Sequence, residues 1–144
     1  MPSVNFEKID ARLLSYPGSS KAFHEKWGWM VYWVGGRQFA CELVAKPEAK
    51  EPYAGRHLLL LKCDPDRILE LRAEYPDAIL RGYYSDGRTW ISIDLDASLP
   101  ESLVLDLCGM SYRLVFEQRP NRPPPSSSVV LSNSEAFSPD DRLG

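Results

Sequence analysis

The sequence predicts an α+β domain in which a twisted antiparallel sheet carries helices packed on it. Three observations lead there. Apolar residues recur at steps of two through the middle of the chain, between tight-turn signals, which is the pattern of hairpin strands. Ahead of, within and after that stretch they recur at steps of three and four, the pattern of amphipathic helices. Connections between consecutive strand-like runs are short, which favours antiparallel pairing over crossovers.

Phe6, Ile9, Leu13 and Tyr16 fall on one helical face, and Pro17-Gly18-Ser19-Ser20 stops that helix. From Trp27 to Val44 the period is two. Trp29, Val31 and Trp33 face one way, Met30, Tyr32 and Val34 the other. Gly35-Gly36 supplies the positive φ of a tight turn, and Phe39, Cys41 and Leu43 return along one face. Residues 46–55 are polar, contain two prolines and read as a loop. HLLLLKC, 57–63, is a third, buried strand. Asp64 is a good N-cap and Pro65 a good first helical residue; Ile68, Leu71 and Tyr75 form that helix's stripe, and Pro76 ends it. Two short strands surround Ser85-Asp86-Gly87, and in the second Ile91, Ile93 and Leu95 alternate with Trp90, Ser92 and Asp94. Ser98-x-x-Glu101 reads as a capping box for a last helix lined by Leu103, Val104, Leu107, Cys108, Leu114 and Val115.

These elements fill residues 1–118, a single-domain length. Residues 119–144 are rich in Pro and Ser and are expected to be a disordered tail, with PPP as a conceivable polyproline ligand. No run approaches the roughly 18 apolar residues of a membrane span, and the first residues lack a secretory apolar core, so the expected compartment is the cytoplasm. Cys41, Cys63 and Cys108 are odd in number, far apart and set in apolar segments, so they read as core thiols. The formal charge is −3, so any contact with nucleic acid needs a local basic patch. There is no G-x-S-x-G, no phosphate loop and no metal-ligand spacing for His24 and His57. Asp94 and Asp96 share a strand face but have no convergent ligands nearby in sequence, and read as structural. The chain is therefore expected to be no enzyme and to need no cofactor or metal.

KCDP at 62–65, LRAEYP at 71–76, GYY at 82–84, Trp90, LDASLP at 95–100 and SYRLV at 111–115 resemble the MmcQ/YjbR family in order and spacing. YPG at 16–18, WG at 27–28 and VGGRQFA at 34–40 fit as well, so the resemblance spans roughly residues 9–118. It implies a frataxin-like fold and DNA binding through two hairpin "wings", with no shared catalytic motif. One departure stands out: where the family favours a basic, histidine-containing turn such as NKKHW, this chain reads SDGRTW, keeping Arg88 and placing Thr89 at the usual His.

The candidate nucleic-acid contacts are Arg37 beside the first turn, Arg81 and Arg88 beside the second, Lys62 if register allows, and Trp90 as a base-stacking ring. The alternative is a protein-interaction or small-ligand module using the Trp-rich face of the first hairpin, through Trp29 and Trp33.

Overall fold

A computed structural model describes residues 6–85 and 87–118; the expected tail lies outside the described residues. Helix α1 (Phe6–Ser15) leads into strands β1 (Ser19–His24), β2 (Trp29–Val34) and β3 (Arg37–Val44). Then come β4 (His57–Lys62), helix α2 (Pro65–Glu74), β5 (Ile79–Arg81), β6 (Trp90–Asp94) and helix α3 (Glu101–Gln118). The strands form one sheet in the order β1-β2-β3-β4-β6-β5, antiparallel throughout.

β1 corrects the expected element order. The sequence reading ends the first helix at residues 17–20 and starts the sheet at Trp27; the structure inserts a further strand between them. Its residues Ser20 to Phe23 are exposed, because β1 is an edge strand that no helix covers on both sides. With nothing to bury it, SSKAFH carries no alternation to read. The turn back to β2 closes at Gly28, whose φ of 77° suits glycine.

The helices all cover one face of the sheet. Ile9 and Leu13 of α1, Ile68 and Leu71 of α2, and Val104, Leu107, Cys108 and Val115 of α3 pack against Tyr32, Leu59, Leu61, Ile79, Ile91 and Ile93. β4 shows why its four leucines run without interruption. Leu59 and Leu61 point into this core, Leu58 and Leu60 into a second cluster on the opposite face, and all four are fully buried. Each such side chain contributes about 1.5–3 kcal/mol. Among the described residues, that second face carries no helix. The 45–56 connection and residues 82–85 close it instead, with Ala45, Tyr53 and Tyr83 packed on Trp29, Val31, Cys41, Leu43 and Leu80.

Several predicted details are present as read. Asp64 caps α2 by accepting from the Asp66 N–H, with Pro65 in the first turn. All three cysteines are free and buried, and burial pushes the Cys63 thiol up to about 11 and the Cys108 thiol up to about 12. The last helix begins differently from the capping-box reading: the Pro100 carbonyl accepts the first bonds, from Leu103 and Val104. α1 is tied to the sheet by a polar knot. Fully buried Tyr32 donates to the Asp10 carboxylate, and Lys21 Nζ reaches the same oxygen at 2.9 Å. Burial alone would raise the Asp10 pKa; these two donors outweigh it and lower it.

Candidate functional site

Gly35 and Gly36 have φ of 60° and 79°, so the β2–β3 turn takes the doubly left-handed form that matches strand twist. It delivers Arg37 to one end of the sheet. β4 reaches the same end through Lys62, because Ala40 pairs with Leu61. Lys62 pairs in turn with Trp90 of β6, and Ile91 with Arg81 at the last residue of β5. Arg88 lies in the connection between β5 and β6. The five predicted residues are thus brought to a single end of the sheet, along two hairpin tips separated by the end of β4. At about 4.8 Å per strand step, the β3 and β5 ends lie roughly 14 Å apart.

They share an end, not a face. Lys62 and Trp90 have the parity of Leu60 and Ser92 on the loop-covered side, and Lys62 Nζ sits 5.6 Å from the Trp90 ring centroid. Arg37 pairs with Val34 and Arg81 with Ile91, which gives both the parity of the helix-covered side. Arg81 and Arg88 are exposed; Arg37, Lys62 and Trp90 are half-buried.

Backbone geometry at this end is held by side chains. β2 and β3 slip register between Tyr32 and Trp33, which leaves Phe39 as an extra residue. Ser111 of α3, fully buried, fills the break in the neighbouring ladder: its Oγ accepts from the Lys62 N–H at 2.9 Å and donates to the Phe39 carbonyl. After Arg81 the chain turns onto the loop-covered face. Tyr83 N–H donates to Ser92 Oγ at 2.8 Å, and the Tyr53 hydroxyl donates to the Arg81 carbonyl at 2.9 Å. Gly82 passes so close to β6 that an added Cβ would meet Trp90 Cβ at 2.7 Å and the Trp90 carbonyl oxygen at 2.9 Å. A Cβ on Gly87 would strike the Arg81 side chain at Cγ (2.6 Å) and Cδ (2.8 Å), so that arginine's shaft lies along the second tip.

The tryptophan surface needs a correction. Trp29 was expected on a partner face, yet it is only 5% exposed. Its ring lies edge-on to Trp27 at 5.4 Å and stacked with Tyr83 at 6.1 Å, so the aromatic excess of this strand is absorbed by loop residues that sequence alone does not place. Trp33 stays half-buried. Asp94 is engaged structurally: it pairs with Arg56 at 2.9 Å and caps the following turn at Asp96 N–H. His57 Nε2 meets Glu42 Oε2 at 2.6 Å. Among the described residues no group of three or more His, Cys, Asp or Glu could hold a metal ion, and no helix is long and apolar enough to cross a membrane.

The class defined here is a six-stranded antiparallel α+β domain with helices on one face, irregular segments on the other and two basic hairpin tips at one end. The YjbR family model matches residues 14–114. The chain belongs to the YjbR family. Its fold is similar to that of a Deinococcus radiodurans protein with a DUF419 domain, at TM-score 0.69 and 25% identity, over 97% of this chain and 93% of that one. A Pseudomonas syringae protein aligns at TM-score 0.65 and 17% identity, over 77% of this chain and 98% of that one. No curated protein matches.

Proposed function

We propose that this domain is a non-enzymatic DNA-binding module that grips the duplex backbone with the two hairpin tips. The observation that carries this reading is the convergence of Arg37, Lys62, Arg81 and Arg88, with Trp90, on one sheet end. Residues drawn from four separate segments reach that end only through strand order. The chain as a whole is acidic, at −3, so long-range attraction to DNA is poor and affinity must come from local phosphate contacts. Non-specific, salt-sensitive binding follows. A binding role is also supported by the state of the reactive groups: the thiols are buried, and His57 is held by Glu42.

The test is fluorescence anisotropy of a labelled random duplex titrated with the full chain at low and physiological salt. Each phosphate neutralised contributes about −0.9 to the slope of log K against log salt, so three or four contacts give a slope near −3. Arg37→Ala/Arg88→Ala is expected to flatten it by about two contacts' worth. Absence of binding at low salt, or a slope unmoved by the double substitution, would overturn the proposal.

A further inference from the structure

Beside the second tip, at the β5 edge of the sheet, the 48–53 and 80–85 segments leave an open groove of about 740 Å³. Its lining includes Glu48, Lys50, Tyr53, Arg72, Tyr83 and Tyr84. That volume falls within the roughly 300–1,000 Å³ typical of small-molecule sites. Its aromatic wall is continuous: Tyr53 and Tyr83 have ring centroids 4.7 Å apart, Tyr83 and Tyr84 4.6 Å. Two arginines border it. Arg81 lines the groove next to Gly82, and Arg72 enters from the last turn of α2. Burial raises the Tyr53 pKa, and the charges of Arg81 and Arg72 pull it partly back, so both cations lie near that hydroxyl. Tyr84 adds a backbone signature. Its φ is 56°, the one non-glycine positive φ among the described residues, and such a conformation costs of order 1–3 kcal/mol and concentrates at ligand sites.

We propose that this groove receives one unpaired nucleotide of the bound DNA, with its base against the tyrosine wall and its phosphate between Arg72 and Arg81. The inference rests on the DNA reading above and deepens it. Arg81 joins the two: its shaft lies along the second tip and it also lines the groove. Glu48 and Glu51 line the groove as well. A continuous polyanion along its length would be repelled, whereas one nucleotide dipping in at the arginines is accommodated. Extruding a paired base costs a few kcal/mol, so an already unpaired nucleotide is the preferred ligand.

The experiment compares the affinity of the full chain for a labelled duplex and for the same duplex carrying a single-nucleotide bulge. The bulged duplex is expected to bind about tenfold more tightly, the effect of stacking one base. Arg72→Ala and Tyr84→Ala should each erase that ratio, and 2-aminopurine at the bulge should lose fluorescence on binding as it stacks. A ratio is unaffected by any loss of folded fraction, and Arg72 lies on an exposed helix surface. Equal affinities for the two duplexes, or a preference that both variants retain, would overturn the groove proposal while leaving the tips intact. Binding of the bulged duplex alone, abolished by Arg72→Ala, would support the groove and overturn the tip reading. Binding of neither would overturn both.

Discussion

Replacing Ser111 with alanine tests how the functional end of the sheet is held. The hydroxyl is fully buried and serves two backbone groups at once, accepting from the Lys62 N–H at 2.9 Å and donating to the Phe39 carbonyl. Alanine removes one oxygen and leaves both groups inside the protein without that partner. An orphaned buried polar group costs about 1–3 kcal/mol, and the loss of packing around one small atom adds little. Lys62 is half-buried, so its N–H recovers some hydration, whereas the Phe39 carbonyl is enclosed. The expected destabilisation is therefore about 2–4 kcal/mol, a large share of the 5–15 kcal/mol typical of a domain. Urea unfolding followed by tryptophan fluorescence reads this directly, the chain having four tryptophans. Amide exchange at Lys62 should accelerate by more than at Leu59, because the break is local to the β3–β4 end. Ser111→Thr, which keeps the hydroxyl, separates the lost bonds from lost volume. A shift below about 0.5 kcal/mol for alanine, with Lys62 exchange unchanged, would refute the claim that this serine bridges the strands.

Two further perturbations address the same frame. Gly82→Ala forces a Cβ to within 2.7 Å of Trp90 Cβ and against Ser85 Oγ, an overpacking expected to cost about 1–3 kcal/mol; an unchanged melting temperature would mean that residues 82–85 shift freely. His57 carries a pH signature. The hydrogen bond that its Nε2–H donates to the Glu42 carboxylate raises its pKa above 6.5, burial works against that, and Glu42, Asp96 and Asp94 reinforce it electrostatically. A raised folded value means that the protonated ring stabilises the fold: the contribution is complete below 6.5 and fades as pH rises through the folded value. The wild type should therefore lose stability relative to His57→Gln as the pH rises above 6.5, and parallel curves would sink the assignment.

Much of the frame was legible because local chemistry and tertiary packing agree. Strand β2 is apolar on both faces in sequence and packs both faces in the fold, Trp29 and Val31 in one cluster, Tyr32 and Val34 in the other; Asp64-Pro65 starts a helix by its own hydrogen bond; the thiols sit where their apolar neighbours put them. The misses share a cause. β1 is exposed from Ser20 to Phe23, so its existence depends on a partner strand and leaves no pattern. Trp29 looked surplus because its cover comes from Tyr83, 54 positions later, on a segment with no regular structure. Ser111 was visible only as part of a motif; its role needs the register break at Phe39, which no window around either residue reveals. The site itself was half-readable. Turn chemistry located the tips, while their arrival at one end required β4 to lie between β3 and β6.

The two faces of the sheet explain why binding groups collect where they do. On the helix side, long regular elements fill the core with side chains that alternate by rule, and little room is left for chemistry. On the other side the cover is irregular backbone, and irregular backbone must find partners outside the ladder. It finds them in Ser92 and Tyr53, which fasten residues 81–83 over the sheet. Side-chain ties of this kind fix a segment at a few points and leave spaces between them, which a packed helix would not. The groove beside Tyr84 is such a space. Its position next to the second tip follows from Arg81, the residue at which β5 ends and the irregular cover begins.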